Sequence, residues 1–312
     1  MPHWLARMLR DRNVVMLLAL GAGLLWGDGA RWVEPAAIPA LAVIMTIATI
    51  NVKWGAFISV RAVLAPALTG IALTFVVQAF FMAGAAALFV TNDAFRSGFF
   101  ILASVPPAVA VIPFTMFVKG DTAFSLAGTI GAYLGALAIA PLMMVALLGS
   151  GFIHPLRILI MFGELIVAPL ILARILASTA IPARTGKYYG AVTNWGFFII
   201  IYTMVGLNRA VFLDHPLSIL PVCYIAFATT FLVGLLIELT GKFFRVPSGV
   251  LASAVLLGTF KNYSLAGGIA LVFFTPETMV PATVSSVIAI LYIVWLELRA
   301  KRRPPDPAAA GR

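Results

Sequence analysis

Charge is what this chain has least of. Only 10% of its 312 residues are Asp, Glu, Lys or Arg, where a water-soluble domain carries about 25%. With 62% hydrophobic residues and a mean hydropathy of +1.07, water cannot be the solvent for most of the surface. Cysteine is nearly absent. The single Cys223 excludes an internal disulfide and any cysteine-built metal cluster. Histidine is scarce, and His3, His154 and His215 fall at the terminus or between apolar runs. No HExxH, GxSxG or CxxC pattern occurs. A Ser264–Lys261 pair at i, i+3 has no further group beside it to support hydrolysis. Neither an enzyme, nor a metal centre, nor a cofactor is expected.

What is there is a series of apolar runs, several reaching the roughly 20 residues that a helix needs to cross a bilayer. Phe124 to Gly151 and Met279 to Leu296 hold no charge at all. The pattern predicts an all-α polytopic membrane protein of about ten spanning segments: 13–30, 34–51, 65–90, 95–118, 122–148, 155–179, 189–207, 216–240, 247–274 and 279–298. Helix-ending residues separate them, among them Asn92-Asp93, Lys119-Gly120-Asp121, His154-Pro155, Pro182 and His215-Pro216. Arg7, Arg10 and Arg12 before the first run resemble a signal peptide, but no convincing cleavage site follows. A retained first helix is expected.

The net charge of +10 would suit nucleic acid if it lay on one soluble face. Instead the basic residues cluster in short linkers, which excludes that partner and follows the positive-inside rule. With a cytoplasmic N-terminus, the inside holds Arg7, Arg10, Arg12, Lys53, Arg61, Lys119, Arg184, Lys187, Lys242, Arg245, Arg299, Lys301, Arg302, Arg303 and Arg312. The outside holds only Arg31, Arg96, Arg157 and Arg209. Both termini are therefore expected inside, in a bacterial inner membrane, with a disordered tail over 304–312. Ten helices divide into two five-helix halves of opposite topology, 1–151 and 152–303, the arrangement of inverted-repeat transporters.

The fourth segment of each half is the unusual one. Segment four carries Pro106, Pro107 and Pro113, and segment nine carries Gly258 and the Lys261-Asn262 pair. Proline removes a backbone donor and pushes its predecessor out of the α region. A charge at membrane depth costs roughly 2.5–3.5 kcal/mol on insertion scales and usually faces a bundle interior or a watery cavity. The plainer readings are a kinked helix with no ligand and a lysine neutralised by a carboxylate on a neighbouring helix. Matching interruptions in both halves point instead to a midplane binding site. Breaks are expected near Ala108–Pro113 and Gly258–Tyr263, crossing each other.

At these segments the chain resembles the bile acid:sodium symporter superfamily. Ser104-Val105-Pro106-Pro107-Ala108 stands at the family's small-residue and proline break, and Lys119-Gly120-Asp121 at its short inner turn. Ser125 and Thr129 follow one turn apart, Phe260 to Ala266 stands at the second break, and Gln78 lies on segment three. The resemblance implies a core domain, 65–148 plus 216–298, moving against a panel, 13–51 plus 155–207, by alternating access. It also implies small organic anions as substrates and no obligatory protein partner.

Departures from the family qualify that reading. The positions of the family's Ser-Asn sodium ligands fall on Val111 and Ile112, its Glu on Leu257 or Gly258, and its Gln on Lys261. Gln78, Ser125 and Thr129 alone make a poor sodium site, and an ammonium would repel the ion. A lysine can act as a tethered cation, donating to freed carbonyls, or exchange protons. Sodium coupling is expected to be lost or greatly altered; the alternative is a sodium symporter with a remodelled ion site. The candidate binding residues are Lys261, Asn262, Gln78, Ser125, Thr129, Pro113, Thr115, Thr259 and Ser264. Glu164 is a possible charge partner for Lys261, and Asn194 beside Trp195 a possible cavity residue. Glu238 and Lys242, four apart, read as a solvated helix pair. A channel is the remaining rival, though it has no need of two inversely related broken helices. With Pro107 rather than cysteine at the first break, the family's arsenite permeases are disfavoured.

Overall fold

The computed structural model describes residues 12–50, 60–108, 110–149, 156, 160, 167–214 and 216–302. These residues form helices and turns without a strand. Among the described residues six helical stretches are long and apolar enough to cross a bilayer: Gly27–Ile47, Val63–Phe89, Thr122–Leu148, Arg184–Leu207, Pro216–Phe243 and Pro276–Lys301. The chain is an all-α membrane protein.

In chain order, α1 is Arg12–Leu25 and α2 is Ala37–Ile50. α3 covers 60–89, with a π-helical stretch at Ala72–Gln78. Segment four is two helices, α4 (Asp93–Ser104) and α5 (Val111–Phe117). Then come α6 (Thr122–Leu148), α7 (Ala168–Ala177), α8 (Ile181–Leu207) and α9 (Pro216–Phe243, with a π turn at Ala228–Leu232). Segment nine is again two helices, α10 (Ser248–Leu257) and α11 (Tyr263–Phe273), before α12 (Val280–Arg302).

Three expectations need correction or restriction. The first break spans Val105–Ala110 rather than Ala108–Pro113, because Pro106-Pro107 alone ends α4. Pro113 lies in the first turn of α5, where a missing N–H has no intrahelical carbonyl to serve. α8 starts at Ile181 rather than at residue 189, since Pro182 likewise fits a first helical turn. Segment six is described mainly from residue 167, so Glu164 lies outside the described residues.

The helices pack in two groups. α1, α2 and α7 lie against α8 or each other, while α3, α4, α5 and α10 surround α6, and α9 and α11 flank α12. Between the groups run contacts of α2 with α11 and of α8 with α11 and α12. In lipid, apolar helices gain little by hiding from their solvent, so close backbone approach holds them together. α3 and α6 meet this way: a Cβ on Gly70 would stand 2.3 Å from the Gly128 carbonyl oxygen.

Two turns share an uncommon backbone. Lys119 after α5 and Arg245 after α9 have φ of 56° and 55°. In each, the next N–H returns to the carbonyl five residues back, Gly120 to Thr115 and Val246 to Gly241, both at 2.8 Å. Such Schellman closures satisfy the last carbonyls of a helix. They also turn the chain sharply enough to bring α6 and α10 together, where Asp121 N donates to Gly249 O at 2.9 Å.

Candidate functional site

Pro107 has no N–H, so the carbonyl of Ala103 loses its helical partner and α4 stops. The chain runs extended through Val105 and meets the second break side by side. Ala108 N donates to Phe260 O and Asn262 N to Pro106 O, each at 3.0 Å, giving an antiparallel bridge between Pro107 and Lys261. The two interrupted segments are therefore joined backbone to backbone where each is broken.

Lys261 is fully buried. Its Nζ donates to the carbonyls of Ala103 at 2.8 Å, Thr74 at 2.9 Å and Val105 at 3.1 Å. It also lies 5.2 Å from the centre of the Phe75 ring. An ammonium has three donors, and all three are used. Two acceptors belong to the C-terminal end of α4, where the helix dipole is negative. The third belongs to the π stretch of α3, where the regular ladder is loosened. Among the described residues no carboxylate stands at ion-pair distance from this amine. Carbonyl dipoles and a ring face offset its charge.

Asn262 caps α11 by accepting from Leu265 N at 3.1 Å. Its Nδ2 donates to the Tyr133 hydroxyl at 2.9 Å and points at Met45 Sδ, 3.7 Å away. Gln78 Nε2 donates to Thr259 O at 2.8 Å, Thr74 Oγ1 to Leu257 O at 3.1 Å, and Thr259 Oγ1 to Val255 O at 2.7 Å. Gln78 Oε1 and Thr129 Oγ1 are buried without a partner among the described residues. Thr115 and Ser125 share a 2.6 Å hydrogen bond that ties α5 to α6.

A cavity of about 430 Å³ opens beside the crossing, between the two helix groups. α1, α2 and α8 supply one wall with Met16, Met45, Phe197 and Met204. The other wall is Ala108 and Ala110 at the first break, α5, Phe260–Ser264 and α12. It reaches toward Met116 and Ile293, the end of the molecule that carries Lys119 and Arg299. Of the nine candidate residues, Lys261, Asn262 and Ser264 line it; Gln78, Ser125, Thr129, Thr115 and Thr259 do not. Pro113 contributes only its place in the first turn of α5. The Lys261 amine is turned toward α3 and α4, away from this space, so the cavity is mostly apolar rather than lined by a free cation.

Asn194 is buried with an interaction partner, while its neighbour Thr193 lines the cavity in its place. Trp195 packs on Phe198. Glu238 is not a solvated residue: it is buried and takes a bidentate Arg299 from α12 at 3.0 and 3.1 Å besides Lys242 at 2.7 Å. Its helix lies along α12, which a reading of one helix face does not include. Thr74, Tyr133, Met45 and Met204 were missed. A backbone carbonyl leaves no residue-type signal, and a methionine in an apolar run looks like any other. Compared with known proteins, the chain matches no family model and no curated sequence.

Proposed function

We propose that the protein is a secondary transporter of a small organic anion that works by alternating access, of the kind found in the bile acid:sodium symporter superfamily. The observation that carries this reading is the pair of interrupted helices joined at their breaks beside a cavity that separates two helix groups. Irregular backbone at membrane depth is tolerated where it lines a cavity or is buried in protein. The 430 Å³ volume falls within the range of small-molecule sites, about 300–1,000 Å³. The apolar walls suit the body of an amphipathic substrate. The first turn of α11, with Asn262 and Ser264 on the cavity, suits its anionic end through the positive end of the helix dipole.

In this reading α1, α2, α7 and α8 form the panel and the remaining helices the core, with both termini cytoplasmic. Lys261 takes the place of a bound cation as a tethered one, so the core is held without sodium. The test is uptake of labelled carboxylates and sulfonates into proteoliposomes at fixed membrane potential. Saturable uptake that survives replacement of sodium by potassium or choline supports the proposal. Uptake of none of them, or of cations alone, overturns it.

A second reading has its own support. Gln78 Oε1 and Thr129 Oγ1 are buried oxygens without partners among the described residues, and such acceptors in a bundle interior suit a cation or water. A sodium-coupled symporter with a remodelled ion site would show uptake that rises saturably with sodium.

A further inference from the structure

Further along α11 from the large cavity lies a remnant space of about 10 Å³, lined by Thr203 and Met204 of α8, Ile38 and Leu41 of α2, and Gly267 and Gly268 of α11. It is close to the smallest space that holds one water. Leu41, Met204 and Ser264 line both this space and the large cavity, so little else separates them. The remnant extends toward Ala37 and Met279, away from the basic end.

Thr203 marks this seam. Its hydroxyl is fully buried and bonds to nothing in the described structure. Thr46, Thr115, Thr229, Thr259 and Thr283 each donate to the carbonyl four residues back; Thr203 does not. A buried hydroxyl without a partner is destabilising, because its lost hydration is not replaced. That cost is relieved in any state that opens the seam to water or to a polar solute.

The closure itself rests on glycine. A Cβ on Gly267 would stand 2.7 Å from Met204 Cε, and one on Gly268 3.2 Å from Ile38 Cδ1. Side chains of α2 and α8 thus rest directly on the α11 backbone.

We infer that this seam is the closed outer half of the translocation path, that α2 and α8 on Gly267-Gly268 are its gate, and that Thr203 and Ser264 are the hydroxyls that meet the polar end of the passing anion. The inference rests on the transporter reading and the topology given above. In this state the large cavity is the inner half of the path, open toward the cytoplasm.

Thiol labelling in oriented vesicles tests the gate without a known substrate. In a Cys223→Ala background, Thr203→Cys reports the outer half and Ile290→Cys, on the large cavity, the inner half. A membrane-impermeant maleimide should label Thr203→Cys slowly and from outside only. Adding Gly268→Trp as a wedge should speed that labelling at least about fivefold and slow inner labelling of Ile290→Cys by a similar factor, as a shift between two populations requires. If the tryptophan variant does not fold, judged by gel filtration, Gly268→Leu is read the same way. Outer labelling unchanged by either wedge, or Thr203→Cys labelled from inside together with Ile290→Cys, overturns the gate. Accessibility that switches in a protein taking up no anion leaves the gate standing and sinks the substrate reading. Uptake without any switch sinks the gate alone.

Discussion

Lys261 Nζ lies 2.8 Å from the carbonyl oxygen of Ala103, the oxygen that Pro107, four residues further on, has no N–H to serve. A proline in one half of the chain makes a vacancy, and a lysine in the other half fills it. The charge is thereby part of the joint between the broken helices.

Lys261→Met should therefore act on stability first. It keeps the volume but leaves three buried carbonyls unpaired, each costing roughly 1–3 kcal/mol. A loss of several kcal/mol is expected, seen as a lower thermal midpoint in detergent. Lys301→Met is the control: its ion pair with Glu297 lies at the surface, and exposed pairs contribute about 0–1 kcal/mol. Equal midpoints for the two variants would dissolve the role given to Lys261.

Lys261→Gln restores the side chain usual in the family but supplies neither a carboxylate nor the Ser-Asn pair. Loss of transport without gain of sodium dependence is expected. In the wild type, three carbonyl acceptors call for three N–H donors, which only the ammonium form has. Uptake should stay flat between about pH 6 and pH 8, because a neutral amine would leave one of the three carbonyls without its donor. A steep pH profile that vanishes in Lys261→Gln would show instead that the amine exchanges its proton during the cycle.

Asn262 joins three elements, so its replacement should be non-additive. Asn262→Ala loses the cap of α11, about 1 kcal/mol, and the bond to Tyr133. Tyr133→Phe loses that bond and the weak donation of its hydroxyl to Met45 Sδ at 3.9 Å. The double variant should be less damaged than the sum, with a coupling of roughly 0.5–3 kcal/mol in denaturant unfolding. Strict additivity would mean that the 2.9 Å contact contributes nothing.

Two glycines offer a contrast in packing. Gly70→Ala places a methyl 2.3 Å from backbone oxygen of α6, whereas Gly84→Ala meets nothing within 4 Å. The first should reduce folded yield sharply, with a cost of several kcal/mol from strain between helices. The second should be neutral or slightly stabilising, as alanine is the better helix former. Comparable monodisperse yields of both would mean that α3 and α6 do not pack as described.

The membrane class and several helix limits were legible in the sequence for local reasons. Thr122–Leu148 coincides with segment five because Asp121 caps its start, accepting from Phe124 N at 2.9 Å, and Gly149 ends it at φ 84°. The break in segment nine was legible from Gly258 and Lys261-Asn262. The break in segment four was displaced because three prolines look alike in sequence, although only two of them interrupt a ladder. Lys261 stood out as a charge among apolar residues, yet its acceptors did not, since they are main-chain atoms. Gln78, Thr115, Ser125 and Thr129 share helices with the cavity but do not line it, since a shared helix does not imply a shared face. Gly267-Gly268 and Thr203, ordinary in an apolar run, became informative only through the side chains resting on them.

The joint between the breaks also sets an order of events in the making of the protein. Ala103 and Lys261 are 158 residues apart, so a chain synthesised from its N-terminus inserts α4 long before its partner exists. During that interval the carbonyls of Thr74, Ala103 and Val105 lack their donor, at a depth where bare acceptors are costly. The nascent first half must then keep water, lipid headgroups or insertion machinery at this spot until the lysine arrives. Its final burial is a late event, after which the two halves can no longer separate cheaply.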